Sequence, residues 1–180
     1  PPFGYITMPD QFVLKALADR ALGPDHPPVM ATVALVSSHI PWAPIPKFVP
    51  WDQVGDGQVF AAARTTEDPD VVWRENGGIA RAYGQSIEYV LRTVTSFITT
   101  YGNDHTLVLL LGDHQPMSFI AGDIGHDVPV HVIARDPTLL RTFAEEHWTA
   151  GMLPDASSPV VPMEALRARL TAAYTPEAQR

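Results

Sequence analysis

Apolar residues along the chain fall into helical and strand-like patterns, and the clearest helical pattern spans residues 79–101. Apolar side chains recur there at steps of three and four, the spacing of one helix face: Ile79, Tyr83, Ile87, Leu91, Val94, Ile98 and Tyr101. An earlier helix is predicted to begin at Thr7–Asp10, capped by Thr7, and to end at Gly23, with Phe12, Ala16, Leu17 and Ala21 on one face. Two later helices are predicted, one opened by Asp136-Pro137 and carrying Leu139, Leu140, Phe143 and Trp148, and one over residues 162–174.

Three short apolar runs have the length and continuity of buried strands. They are Val29–Val36, Leu107–Leu111 and Val128–Ala134. Because strands alternate with helices, the pattern predicts an α/β fold with a mainly parallel sheet and helices on both faces. Residues 40–50 contain four prolines, which exclude helix or central strand. They form either one wall of a cleft or a rigid loop packed on the body. Residues 52–78 are predicted to be irregular, with at most one short element near Val71–Trp73.

Composition narrows the class of partner. The 180 residues suit one domain covering residues 1–180, or a piece of a larger one. A net charge of −8 without a basic cluster argues against nucleic acid and leaves a metal ion or small ligand as the easier partner. No apolar run is long enough to span a membrane. Zero cysteines exclude thiol catalysis and thiolate metal sites within these residues.

The strongest chemical feature is Gly112-Asp113-His114, directly behind the apolar run 107–111. Ligands collect outside the carboxyl ends of strands in open α/β sheets. A carboxylate and an imidazole fixed there suit a divalent cation such as zinc or manganese. The alternative is an Asp that caps a helix beside an ordinary surface His.

Two further histidines occupy comparable positions. His39 ends the predicted strand 29–36, and His126 lies in the loop before the third strand. If the strands are neighbours, these imidazoles meet Asp113 and His114 at one sheet edge. Such a cluster binds a cation and donates to phosphate or sulfate oxygens. His131 is interpreted as a core or edge residue of its strand, and the remaining histidines receive no role.

Four segments carry a family resemblance over residues 29–135. The first is Ser37-Ser38-His39-Ile40-Pro41-Trp42, after a strand, and the second is Tyr83–Tyr89, early in the long helix. The third is Gly112-Asp113-His114, and the fourth is His126 followed by Val128-Pro129. The ordered set resembles the C-terminal part of the alkaline phosphatase superfamily, in its sulfatase-like phosphotransferase branch. That branch includes the lipoteichoic acid synthases and the phosphoethanolamine transferases.

The resemblance implies roles for individual residues. Asp113 and His114 would be metal ligands, for zinc or manganese, and His39 would bind the phosphate or sulfate group. His126 would contact substrate or a second metal. The implied reaction is attack by an activated hydroxyl on phosphorus or sulfur, through a covalent enzyme intermediate. The implied substrate is a phosphate- or sulfate-bearing small molecule or lipid headgroup. The implied location is extracytoplasmic, with a membrane anchor outside these residues.

Three departures from the family pattern shape the functional prediction. Gln115-Pro116 follows the Asp-His pair where Gly is usual, and Leu35 occupies the position of a second-site Asp. The nucleophile and first acidic ligand belong to an upstream segment of the family. We therefore expect the C-terminal half of a larger catalytic domain, inactive alone. One alternative is a degenerate domain that binds an envelope glycan or lipid headgroup without catalysis. Another is an unrelated α/β scaffold.

Overall fold

The chain combines helices with a small sheet and divides into two compact units. The structure is a computed structural model that describes residues 8–123 and 125–175. The first unit ends at Gly102, and the second begins at Asn103. The predicted combination of helices and strands is confirmed, as a mixed helix and sheet fold. Whether both units belong to one larger catalytic domain stays a prediction.

The first unit consists of helices joined by long loops. Its α-helices are α1 (Asp10–Ala21), α2 (Pro69–Arg74) and α3 (Gly78–Tyr101), with 3₁₀ turns at Trp51–Gln53 and Gln58–Ala61. Both α1 and α2 pack on α3. The prediction of a long helix over residues 79–101 is confirmed, and α2 matches the short element expected near 71–73.

The start and the packed face of α1 differ from the prediction. The residue before the helix is Pro9, which offers no capping side chain, and Thr7 lies outside the described residues. The buried positions are Asp10, Gln11, Leu14 and Ala18. Two polar residues of the first turn are therefore buried, whereas the predicted face Phe12, Ala16, Leu17 and Ala21 is only half-buried.

The Pro-rich residues 40–50 pack on the first unit as a rigid loop. Ile45 and Val49 are buried, and Val49 forms a core cluster with Val54 and Phe60. The backbone N–H of Lys47 donates to the Ala63 carbonyl at 2.9 Å. Of the two interpretations of this segment, packing on the body is the one observed.

The predicted strand over residues 29–36 is wrong. These residues form no strand and are mostly exposed, with Met30 97% accessible. A strand needs a neighbour that satisfies its backbone N–H and C=O groups. In the described structure the run 29–36 has no such neighbour, so its apolar composition alone does not produce a strand.

The second unit is built on an antiparallel strand pair. Strand β1 (Leu107–Leu111) pairs with β2 (Val130–Ala134), with Leu107 opposite Ala134 and Leu111 opposite Val130. The mainly parallel arrangement predicted from the alternation of elements is therefore not what these strands adopt. In its described part, the connection 112–129 contains only the four-residue helix α4 (Ser118–Ala121), not the longer helix that usually forms a parallel crossover.

Two helices and a 3₁₀ turn complete the second unit. They are the turn Pro137–Leu140, α5 (Arg141–Glu145) and α6 (Met163–Tyr174). The helix predicted after Asp136 is thus split and ends before Trp148. Arg169 of α6 pairs with Glu146 at 2.6 Å, and the Tyr174 hydroxyl donates to the Leu139 carbonyl at 2.5 Å. In the part of the chain described here, no helix is long and apolar enough to cross a membrane.

Candidate functional site

Asp113 and His114 lie side by side where β1 ends. The distance from Asp113 Oδ2 to His114 Nε2 is 3.7 Å, and both side chains are exposed, at 91% and 75%. The other carboxylate oxygen, Oδ1, accepts the backbone N–H of His114 at 3.0 Å. This bond occupies Oδ1, so Oδ2 and His114 Nε2 are two potential metal donors that lie near each other.

The tautomer of His114 follows from its second ring nitrogen. His114 Nδ1 lies 2.7 Å from the carbonyl oxygen of Gln115. A carbonyl only accepts, so Nδ1 carries the hydrogen and Nε2 of the neutral imidazole presents its lone pair. Histidine ligands of metals are commonly oriented by a bond of this kind.

The spacing of the two donors fits a shared cation. Two ligands at about 2.0–2.1 Å from a tetrahedral zinc ion lie about 3.3–3.4 Å apart. The observed 3.7 Å needs a shift of a few tenths of an ångström, which an exposed side chain makes readily. Among residues 8–123 and 125–175, however, no group of three or more His, Asp or Glu side chains is placed to hold a metal. The pair therefore fits part of a metal site.

His126 lies on the same connection between the strands. The antiparallel register brings the residues before β2 to the end of β1, where the Gly112 N–H donates to the Pro129 carbonyl at 3.4 Å. The Gln115 side-chain amide also donates to the carbonyl of Asp127, directly after His126. Gln115 thus connects the Asp113-His114 turn to the loop that carries His126. The His126 side chain is exposed.

His39 belongs to the first unit, whereas the other three predicted site residues belong to the second. It is exposed, and its Nδ1 lies 2.7 Å from the carbonyl oxygen of Ile40. As in His114, this bond places the hydrogen on Nδ1 and leaves Nε2 for a ligand. As an imidazolium, the same Nε2 becomes a donor for an anion.

Aromatic side chains hold the backbone that follows His39. Trp42 is buried and stacks on Trp73 of α2, with ring centroids 6.1 Å apart and planes at 11°. Tyr83 of α3 meets the Trp42 ring edge-on at 5.4 Å. The indole N–H of Trp73 donates to the Pro41 carbonyl at 3.2 Å. The sequence analysis did not predict that Trp73 supports this backbone. The only signal was the short element predicted near Val71–Trp73.

Asp10 is a second residue that sequence reasoning missed. Its carboxylate Oδ1 accepts the backbone N–H groups of Val36 and Ser37, at 2.8 and 3.0 Å. Burial raises the pKa of Asp10 above its ordinary value, although these hydrogen bonds act in the opposite direction. The sequence showed only an acidic residue in a first helical turn, a pattern usually explained by the helix dipole.

Comparison with known proteins identifies no relative: no family model, curated protein or solved structure matches this chain. The resemblance to the alkaline phosphatase superfamily therefore stays a prediction, carried by the order of the motifs.

Proposed function

We propose that this chain contributes the Asp-His metal ligands of a hydrolase or transferase that acts on phosphate or sulfate esters, as in the alkaline phosphatase superfamily. The observation that carries the proposal is the Asp113–His114 pair. Its Oδ2 and Nε2 atoms lie 3.7 Å apart, and Nδ1 of the imidazole bonds the Gln115 carbonyl, which leaves Nε2 for a cation. Zinc and manganese both accept such an oxygen and nitrogen pair.

Each predicted residue then has a defined role. Asp113 and His114 bind the cation, which when bound neutralises charge on the ester oxygens. His39 in the first unit and His126 in the second are each proposed to contact a phosphate or sulfate group, of a small molecule or lipid headgroup. The hydroxyl nucleophile comes from another segment, so this chain alone performs no turnover. The full protein acts outside the cytoplasm and is anchored in the membrane by segments other than residues 1–180.

Zinc titration of the 180-residue chain tests the metal ligands. Isothermal calorimetry on the unmodified chain is compared with Asp113→Ala and His114→Ala. The matched controls are Asp104→Ala and His105→Ala, because Asp104-His105 is the same dipeptide before β1. We expect weak zinc binding that either site substitution weakens at least tenfold, about 1.4 kcal/mol or more. The two control variants should match the unmodified chain.

Two outcomes oppose the proposal. Equal losses in the control and site variants would mean that zinc binds surface histidines without preference. Tight binding of a phosphate-bearing headgroup that needs no metal and survives Asp113→Ala would favour the alternative, a non-catalytic binding domain.

A further inference from the structure

Asp10 joins the start of α1 to the backbone just before His39. Its Oδ1 accepts the N–H groups of Val36 and Ser37, at 2.8 and 3.0 Å. In return, Ser37 Oγ accepts the backbone N–H of Asp10 at 3.2 Å. Asp10 is fully buried and Ser37 nearly so, at 0% and 6% exposure. Three hydrogen bonds thus connect residues 26 and 27 positions apart in the sequence.

Hydrogen bonds hold the turn that carries His39 on both its N-terminal and its C-terminal side. The His39 N–H donates to the Val36 carbonyl at 3.0 Å, which closes a turn directly on the residue that Asp10 binds. On the other side, the Trp42 indole N–H donates to the Ser38 carbonyl at 2.7 Å. Asp10 and Trp42 therefore fix the backbone of Val36–Ser38, and the imidazole of His39 extends from the fixed segment into solvent.

We propose that Asp10 is a positioning residue whose buried carboxyl group sets where His39 presents its Nε2 to an anionic ligand. The importance of that position rests on the proposed anion-binding function of His39. Without the Asp10 acceptor, the N–H groups of Val36 and Ser37 lose their partner, and the turn is free to move. His39 would then be displaced although Asp10 itself never touches the ligand.

The surroundings of Asp10 explain why an amide should replace it. Among the residues that the structure describes, its second oxygen Oδ2 is buried without a hydrogen bond, and the Tyr89 side chain of α3 is near enough to interact with the Asp10 charge. No ion pair to Asp10 occurs among the residues that the structure describes. A neutral group with one accepting oxygen therefore satisfies the same backbone bonds without burying a charge. Asparagine has that oxygen and nearly the same shape.

The experiment compares Asp10→Ala, Asp10→Asn and Ser37→Ala in the full 180-residue chain. Gln11→Ala is the matched structural control. Gln11 is equally buried in the same helical turn and also bonds backbone groups, the N–H and C=O of Val49, at 3.1 and 2.6 Å. Two quantities are measured by NMR: the imidazole chemical shifts of His39, and its response to added inorganic phosphate.

We expect Asp10→Ala and Ser37→Ala to move the His39 resonances and to weaken its phosphate response about fivefold or more. Asp10→Asn should restore both, and Gln11→Ala should lower stability while leaving His39 unchanged. Folding is checked through the resonances of His114 in the other unit and through the indole signals. If Asp10→Ala does not fold, Ser37→Ala and Asp10→Asn decide the question.

Two results would overturn the positioning role. One is an unchanged His39 in folded Asp10→Ala or Ser37→Ala chains, and the other is an Asp10→Asn chain in which His39 is displaced. If phosphate causes no shift of His39 in the unmodified chain, the anion-binding role fails. The chemical shifts without phosphate then still test whether Asp10 holds the turn.

Discussion

At the scale of single residues, the structure adds orientation to side chains whose chemistry was predictable. The sequence identified His39 and His114 as candidates, but not which ring nitrogen each presents. In both, Nδ1 lies 2.7 Å from the carbonyl oxygen of the following residue, so Nδ1 carries the hydrogen and Nε2 is the nitrogen left for a ligand. The role of Asp10 was not predictable, because a buried carboxylate that accepts hydrogen bonds from a distant part of the backbone leaves no local pattern in the sequence.

Burial of Asp10 predicts a specific pH dependence of stability. Its pKa is raised above about 3.8 in the folded chain, mainly by burial, so the folded state holds this proton more tightly than the unfolded state. As pH rises from the unfolded pKa through the folded pKa, the unmodified chain must lose stability, by about 1.4 kcal/mol per pKa unit of difference. Asp10→Asn removes this loss.

Urea unfolding at pH 4 and pH 7 measures the effect. The Asp10→Asn chain should gain stability relative to the unmodified chain as pH rises. Titrations of other groups cancel in this comparison. A stability difference between the two chains that stays constant, or shrinks with rising pH, would contradict a raised pKa at Asp10.

At the scale of elements, local patterns predicted helices and strands better than their pairing. α3, β1 and the core of β2 lie where periodicity and apolar runs placed them, because those features depend on neighbouring residues. The run 29–36 looks equally strand-like but forms none, since a strand also needs a distant partner. The apolar runs also did not reveal that β1 and β2 pair antiparallel, because such a run is compatible with both parallel and antiparallel sheets.

The α2–α3 junction predicts opposite effects for two glycines of α3. A Cβ on Gly78 would lie 2.2 Å from the Val72 carbonyl oxygen, whereas one on Gly84 would meet nothing within 4 Å. We expect Gly78→Ala to lower the free energy of unfolding by about 1–3 kcal/mol through overpacking. Gly84→Ala should raise it by about 0.5–1 kcal/mol, because alanine favours the helix.

Urea unfolding followed by tryptophan fluorescence reports mainly on the first unit, which contains Trp42, Trp51 and Trp73. Equal stabilisation by both substitutions would show that α2 does not approach Gly78 closely. The α2–α3 junction also supports the backbone near His39. Trp73 of α2 stacks on Trp42, and the Trp42 indole N–H donates to the Ser38 carbonyl.

At the scale of the whole molecule, the predicted site residues are divided between two compact units. The second contributes Asp113, His114 and His126, and the first contributes His39. The order of these residues was readable from the sequence, whereas the antiparallel strand pair that brings the loop of His126 to the Asp113-His114 turn was not. Under the proposed function, these residues serve as metal ligands and anion contacts, and the nucleophile comes from another segment.

The proposal that the nucleophile comes from another segment predicts that the chain alone does not turn over ester substrates. With zinc or manganese present, p-nitrophenyl phosphate and p-nitrophenyl sulfate should release p-nitrophenol no faster than in buffer containing the same metal. Hydrolysis above that background that disappears in Asp113→Ala would show that the chain carries its own nucleophile.

The most direct test of the central claim is the location of bound Mn²⁺ by NMR. At substoichiometric Mn²⁺, paramagnetic broadening falls steeply with distance from the ion. The five residues of β1 span about 17 Å, so its two ends are well separated. We predict that His114 broadens first, that His126 follows, that His105 at the other end of β1 broadens little, and that Asp113→Ala abolishes the pattern. Equal broadening of all histidines, or a pattern that survives Asp113→Ala, would contradict a metal site at Asp113 and His114.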